Sequence, residues 1–302
     1  MQKIVPSIWF DHNAGEAAKF YTQVFPNARV TRVQHYPKQG LPDFQQDLAG
    51  KELAVEFELD GHRFVGINAG PEFPVTPAIS FMVNFDPSLD DAARSHLEAL
   101  WNALAESGQV MMPLGEYPFS PYYGWVQDRY GVGWQLILTD PAAELRPFIV
   151  PSLLFGAEAQ NRAAEAADYY TSVFPDAWVG TVATYPEPTG PATTDSVMFS
   201  DIELFGQWFA LMDSGVEQTQ TFSPGLSFII ECADQAEIDR YWAQLSAVPE
   251  AEQCGWLVDR FGVSWQVLPV DLAAHTATTE GYRAMLGMKK IQLDQFDGRL
   301  GR

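Results

Sequence analysis

Residues 124–136 read GWVQDRYGVGWQL, and residues 255–267 read GWLVDRFGVSWQV. The two stretches are identical at eight of 13 positions and lie 131 residues apart. A second pair agrees with the first, because YTQVFPNA at residues 21–28 returns as YTSVFPDA at residues 170–177. A repeat of this length is far longer than a solenoid unit and matches the size of a whole domain. The chain is therefore a tandem duplication.

The repeat predicts a division of the 302 residues into two domains and two short segments. The first domain spans residues 1–140, a linker with two prolines spans 141–148, and the second domain spans 149–271. Residues 272–302 form a C-terminal tail in which Tyr282, Met285 and Leu286 have near-helical spacing. We expect this tail to be helical and to pack across a domain surface.

The charge of the chain excludes two classes of partner. With 39 acidic and 18 basic residues, the net charge is −21. Nucleic acid and anionic membrane surfaces would be repelled, so neither is an expected partner. The N-terminus has no signal-peptide pattern and no stretch reaches 18 uninterrupted apolar residues, which indicates a cytoplasmic protein. The two cysteines both lie in the second half and form no disulfide framework.

The order of predicted elements repeats at a finer level. Each half contains two modules, and each module reads as a strand, a helix and three further strands. The offset between the halves is 147 at Ser80 and Ser227 but 131 at Trp134 and Trp265. The second half has therefore lost 16 residues, which correspond to a strand and loop around residues 111–119.

Paired modules whose first helix ends in the pattern Tyr-x-x-Val-Phe-Pro, as at residues 21–26, resemble the vicinal oxygen chelate superfamily. This superfamily includes glyoxalase I, extradiol dioxygenases and bleomycin-resistance proteins. More narrowly, the chain resembles the PhnB-like, or 3-demethylubiquinone-9 3-methyltransferase-like, branch. Four stretches carry the resemblance: residues 21–26, 60–64, 254–266 and 282–291.

The resemblance implies an α+β fold of tandem glyoxalase-like domains. In each domain, two βαβββ modules would form a curved mixed sheet around a cleft, with the helices outside. The cleft is the expected site.

Metal-dependent members of the superfamily place His, Gln or Glu on the first strand of each module and Glu near the last. This chain departs from that pattern, because residues 6–9 read PSIW and the last strands carry Gln135 and Gln266. A divalent cation needs anionic oxygen or imidazole donors, so we predict no bound metal. No glycine-rich loop stands between a strand and a helix, so no cofactor is expected and the methyltransferase label has no supporting cofactor motif.

Aromatic side chains give the positive indication of a site. They are concentrated on the strands and late loop of the first half, and an aromatic wall with a few polar tips suits a planar or apolar small molecule. The predicted ligand-binding residues are Trp9, Asn68, Tyr117, Phe119, Trp125, Trp134 and Gln135. A second cleft would be lined by Ser152, Trp256, Trp265 and Gln266. The first is favoured, because Trp9 becomes Leu154 in the second copy and the region of Tyr117 is deleted there.

These residues predict a metal-free protein that binds an apolar or aromatic small molecule. The alternative is a lyase, isomerase or dioxygenase of the same superfamily, with a divalent metal held by atypical ligands such as Gln135, Asn68 and His12. A third alternative is a structural paralogue without a ligand. The covalent duplication predicts an internal pseudo-dimer, with a homodimer as a further possibility.

Overall fold

The computed structural model describes residues 2–296, so residues 297–302 of the predicted tail lie outside it. The first half contains strands β1 to β8: Ile4–Phe10, Arg29–His35, Glu52–Leu59, His62–Asn68, Ile79–Phe85, Gln109–Tyr117, Ser120–Gln127 and Gly133–Leu138. Strands β9 to β15 follow: Ile149–Phe155, Trp178–Thr184, Val197–Leu204, Gln207–Asp213, Leu226–Cys232, Trp256–Val258 and Ser264–Pro269. The helices α1 to α6 are Ala14–Val24, Ala93–Ala105, Ala163–Val173, Gln235–Leu245, Leu272–His275 and Thr279–Leu286.

The chain forms two compact units that interleave in sequence. Unit 1 contains residues up to Thr22, Ala28–Phe73 and residues from Ser223 onward, and unit 2 contains Gln23–Asn27 and Pro74–Phe222. The sheet of unit 1 has the order β14-β15-β13-β1-β4-β3-β2, and the sheet of unit 2 has the order β10-β11-β12-β9-β5-β8-β7-β6. Each sheet is mixed, and each is built from two modules.

The two modules that share a sheet are not the two that belong to the same copy of the sequence repeat. We number the modules 1 to 4 by their strands: β1–β4, β5–β8, β9–β12 and β13–β15. Strand β1 of module 1 pairs antiparallel with β13 of module 4, and β5 of module 2 pairs antiparallel with β9 of module 3. The compact units therefore depart from the predicted domains 1–140 and 149–271.

Buried apolar side chains and partly exposed polar side chains alternate along the strands, so each sheet has a side that faces the helices and a second, more polar side. In β3, Val55, Phe57 and Leu59 are buried, whereas Glu56 and Glu58 between them stay partly exposed. In unit 2, a Cβ added to Gly124 would collide with the ring of Trp101 on α2, which shows that this side of β7 faces the helix. Since successive side chains point to opposite faces, Tyr123 and Trp125 lie on the other side.

The predicted loss of a strand from the second half is observed in module 4. It contains three strands where module 2 has four, so unit 1 has a seven-stranded sheet and unit 2 an eight-stranded one. Part of the C-terminal tail packs beside the shortened edge. The N–H groups of Cys254 and Gly255 donate to the carbonyls of Met288 and Lys289 at 2.8 and 2.7 Å.

Helix α6 covers another part of unit 1. Its Thr278 cap accepts a hydrogen bond from the N–H of Gly281 at 3.0 Å. Tyr282 is buried against Tyr36 and Leu41. The described part of the tail, residues 272–296, therefore contains helices and packs on unit 1. None of the helices within residues 2–296 has the length and apolar character needed to cross a bilayer.

Candidate functional site

The aspartate of the repeated stretch shapes the turn between β7 and β8. Oδ1 of Asp128 accepts hydrogen bonds from the backbone N–H groups of Tyr130 and Val132 at 2.8 and 3.1 Å. Oδ2 accepts a third from Nε1 of Trp134 at 2.8 Å. The same arrangement recurs in unit 1, where Nε1 of Trp265 donates to Asp259 at 2.9 Å. Both carboxylates thus support a turn and a tryptophan.

Trp134 and Trp265 belong to the cores of their units. Trp134 is fully buried against Phe81, with 5.3 Å between ring centroids, and Trp265 lies 5.4 Å from Phe228. Each tryptophan precedes a glutamine in the same strand, so the two side chains point to opposite faces of the sheet. The prediction that Trp134 and Trp265 line clefts together with Gln135 and Gln266 is corrected by this geometry.

Gln135 lies at the centre of a buried chain of hydrogen bonds on the side of the unit 2 sheet that faces away from α2. We call this side of the sheet the Gln135 face. Its Nε2 donates to Oγ of Ser80 at 2.8 Å and to Oγ of Ser152 at 3.4 Å. Its Oε1 accepts from the hydroxyl of Tyr123 at 2.7 Å. Ser80 and Ser152 are direct partners across β5 and β9, which places both hydroxyls under the same amide. The amide is thereby held in one orientation.

Aromatic rings from the β6–β7 hairpin stand beside this chain. Tyr117 and Phe119 are stacked with 5.6 Å between centroids, and Tyr123 meets them edge-on at 5.6 and 5.0 Å. Phe119 is 60% exposed. Trp125 is the direct cross-strand partner of Gln135, and its Nε1 is buried without a hydrogen-bond acceptor among the described residues. The Gln135 face therefore offers an aromatic surface with an unpaired N–H donor.

Burial keeps the phenol of Tyr123 neutral. It raises the pKa of Tyr123 well above its ordinary value of 10, and the neighbouring Tyr117 adds to the effect. The hydroxyl can donate and accept hydrogen bonds, but it does not supply a phenolate at neutral pH. Tyr123 is therefore not suited to abstract a proton from a ligand.

Unit 1 carries a related but altered arrangement around Gln266. Nε2 of Gln266 donates to Oγ of Ser227 at 3.0 Å. Cys254 stands 131 residues after Tyr123 and takes its place in the repeat, so a thiol replaces the phenol. Trp9 and Trp256 pack edge-on with 5.9 Å between centroids, and Trp256 is the cross-strand partner of Gln266. The two units thus keep the glutamine and serine but differ in the aromatic residues around them.

Asn68 has a structural role in unit 1. Its Oδ1 accepts from the N–H of Ala14 at 2.8 Å, at the start of α1, and its Nδ2 donates to the carbonyl of Glu52 at 3.2 Å. Both polar groups of the side chain are engaged by backbone. Asn68 therefore ties α1 to β3 and does not face a ligand.

The interleaved units redistribute the predicted site residues. Unit 2 brings together Tyr117, Phe119, Trp125 and Gln135 from the first predicted cleft and Ser152 from the second. Trp9 and Asn68 belong to unit 1, with Trp256, Trp265 and Gln266. The single cleft predicted in the first half is thus divided between two units, because module 1 shares its sheet with module 4.

Ser80 and Tyr123 are the residues that the predicted list lacks. Ser80 and Ser227 occupy equivalent positions in the repeat, as do Ser7 and Ser152. A serine that recurs inside an apolar strand of both copies is the signal that identifies this row of hydroxyls.

The donors at Gln135 do not fit a divalent cation. They are two hydroxyls, an amide and a neutral phenol, and none carries charge. Within residues 2–296, no group of three or more His, Cys, Asp or Glu side chains is placed to hold a metal. The alternative ligand set is assigned to different units, since His12 and Asn68 belong to unit 1 and Gln135 belongs to unit 2.

His62, at the start of β4, gives a test of pH-dependent stability. Its ring lies 5.0 Å from that of Phe64, and burial lowers the pKa of His62 from 6.5 to about 4. The unfolded chain therefore binds a proton near pH 6.5 that the folded chain does not bind until about pH 4. We expect stability to fall as the pH drops through this window, by at most about 3 kcal/mol.

Urea denaturation at pH 7 and pH 4.5, for the wild type and for His62→Gln, measures this contribution. The variant should lose less stability on acidification than the wild type does. An equal loss in both proteins would show that other groups cause the pH dependence.

Comparison with known proteins gives the family. The family model described as 3-demethylubiquinone-9 3-methyltransferase matches twice, over residues 2–137 and 147–268. Among curated proteins, none matches the chain. The PhnB protein from Bacillus cereus is 33% identical over 46% of this chain and 100% of its own, with a TM-score of 0.39.

Solved structures that align with most of the chain show the fold. Glyoxalase I from Zea mays is 9% identical, covers 96% of this chain and 98% of its own, and gives a TM-score of 0.51. A mutant of the same enzyme covers 89% of this chain and 94% of its own at 10% identity, with a TM-score of 0.54. The predicted α+β fold of two glyoxalase-like mixed sheets is confirmed. The chain belongs to the 3-demethylubiquinone-9 3-methyltransferase family, within the vicinal oxygen chelate superfamily, and carries two copies of the family's unit in one polypeptide.

Proposed function

We propose that the Gln135 face of unit 2 binds a small planar molecule with apolar or aromatic character, without a metal ion and without bond making. The observation that carries the proposal is the aromatic group of Tyr117, Phe119 and Tyr123 beside the oriented amide of Gln135. Aromatic surfaces with a few fixed polar groups are typical of small-molecule sites.

The polar groups suit a neutral ligand with a hydrogen-bond acceptor. Nε1 of Trp125 is a buried donor, and leaving such a donor unpaired costs about 1–3 kcal/mol. A carbonyl or ring nitrogen of a ligand would satisfy it once a shift of the Trp125 ring opens the N–H group to the face. Two charged groups of the same unit, Arg146 and Asp201, are paired with each other at 2.8 Å, so neither is free to bind a charged ligand.

Nile red, a neutral planar dye, is a suitable probe. We expect saturable fluorescence enhancement with the wild type and a dissociation constant about 10-fold higher for the double variant Tyr117→Leu/Phe119→Leu, since each aromatic contact contributes about 0.5–1.5 kcal/mol beyond its buried area. Phe44→Leu is the matched control, because Phe44 is an 80% exposed phenylalanine of unit 1.

The control should bind the dye with unchanged affinity. Equal affinities for the wild type and the double variant would show that Tyr117 and Phe119 do not contribute to dye binding. A parallel loss in Phe44→Leu would indicate general surface adsorption.

A cytoplasmic location and the absence of a required metal remain parts of this proposal.

A further inference from the structure

A groove in unit 1 lies between the edge strand β2 and the start of the C-terminal tail. It has a volume of about 390 Å³. Its lining residues are Arg32, Val33, Gln34, His35, Tyr36, Pro37 and Lys38 on one wall and Ala273, Thr276 and Ala277 on the other. The volume is near the lower end of the range for small-molecule pockets, about 300–1,000 Å³.

The charged residues of the lining are all basic or basic when protonated. Arg32, His35 and Lys38 are among its lining residues and no carboxylate is, although Glu56 and Glu52 on the neighbouring strand β3 lie opposite Arg32 and His35 in the sheet. This is unexpected in a chain with 39 acidic and 18 basic residues.

Two of these side chains keep their hydrogen-bonding capacity. Within residues 2–296, neither His35 nor Lys38 forms an ion pair. Arg32 has a partner, Glu56, but their closest atoms are 3.7 Å apart and the arginine side chain is 49% exposed. An exposed pair of this kind contributes little and leaves the guanidinium able to bind another anion.

The backbone of β2 adds polar groups to the same wall. β2 is the last strand of its sheet, so one row of its N–H and C=O groups has no strand partner. The opposite wall is small and neutral. Oγ1 of Thr276 is already engaged, accepting from Nε2 of Gln34 at 3.3 Å and donating to the carbonyl of Leu272 at 3.0 Å.

From these features we infer that the groove binds the oxyanion of a small organic carboxylate or phosphate. Lys38 and His35 would donate to the anion, and Arg32 would add a planar set of N–H donors. The small side chains of Pro37, Ala273 and Ala277 leave room for a short apolar part of the ligand. A polyanion such as nucleic acid is disfavoured, because the rest of a chain with a net charge of −21 would repel it. This site is separate from the Gln135 face and does not depend on the function proposed there.

Titration of ¹⁵N-labelled full-length protein at constant ionic strength tests the inference, with inorganic phosphate in one arm and succinate in the other. Saturable shifts should be confined to the amides of residues 32–38 and 273–277. Lys38→Met should raise the dissociation constant about 10-fold, the cost of one charge-assisted hydrogen bond. Lys19→Met is the matched control, because Lys19 is an exposed lysine on α1 that also has no ion pair among the residues that the structure describes.

The two arms separate the sources of the anion. Saturation by phosphate alone assigns a phosphate ligand, and saturation by succinate alone assigns a carboxylate. The absence of saturable shifts with both anions overturns the inference. It is also overturned if Lys19→Met weakens binding as much as Lys38→Met does, since that result means general attraction to surface charge. Nile red binding at the Gln135 face is measured by a different signal in the other unit, so the two proposals can fail independently.

Discussion

Arg146→Met is expected to lower the free energy of unfolding by about 3–5 kcal/mol, because it leaves a buried carboxylate without its cation. Nη2 of Arg146 lies 2.8 Å from Oδ2 of Asp201, whose side chain is only 5% exposed. The guanidinium also stacks on Trp208, with 4.1 Å to the ring centroid. Asp201 retains one other partner, the N–H of Thr181 at 2.6 Å. One neutral donor does not offset the burial of a full charge.

Urea denaturation of a double-mutant cycle separates charge from packing. Asp201→Asn in the Arg146→Met background removes the unpaired charge, so the double variant should recover part of the lost stability. Arg162→Met is the matched control, since its partner Glu165 is 52% exposed and such pairs contribute about 1 kcal/mol or less. If Arg146→Met costs no more than Arg162→Met, the buried pair does not stabilise unit 2 in the way described.

Asp128→Ala is expected to cost about 3 kcal/mol or more. The substitution removes the acceptor of three hydrogen bonds at a 4% exposed position. Each buried donor left without a partner costs about 1–3 kcal/mol. The loss should be visible in the fluorescence of Trp134, whose Nε1 would be one of the orphaned donors, and in a lower urea midpoint.

Asp128→Asn distinguishes the acceptor from the charge. The asparagine keeps an oxygen for the N–H groups of Tyr130 and Val132 but presents an NH₂ group to Nε1 of Trp134. Its destabilisation should lie between those of the wild type and Asp128→Ala. Asp168→Ala is the control, because Asp168 is exposed on α3, and it should change stability by less than about 0.5 kcal/mol. A small effect of Asp128→Ala would mean that the turn relaxes to satisfy its own backbone.

Much of this architecture is predictable from the repeat. Helix α1, the shortened module 4 and the helical tail all follow from periodicity and from the offset between copies. The neighbours of β1 do not follow, because alternation of apolar residues gives the two faces of a strand but not the strand beside it. Module 1 has three sister modules with the same pattern, and nothing local to residues 4–10 distinguishes them.

The candidate site was predictable only in part for the same reason. Gln135 and the aromatic residues of the β6–β7 hairpin could be found from the sequence. Ser152 could not be assigned to the same unit, because its proximity to Gln135 depends on the pairing of β5 with β9. Asn68 and Trp134 were misleading, since a polar residue at the end of a strand and an aromatic one within it serve equally well in helix capping and in core packing.

The pairing of module 1 with module 4 imposes an order on folding during biosynthesis. Modules 2 and 3 are adjacent in the chain, so the unit 2 sheet can close once residue 222 has left the ribosome. Strand β1 is made first, yet its partner β13 begins at Leu226. During that interval β1 presents an unpaired edge, which is a template for association with other chains. β1 can pair with β4 early in synthesis, but its second edge gains its native neighbour only after most of the chain has been made.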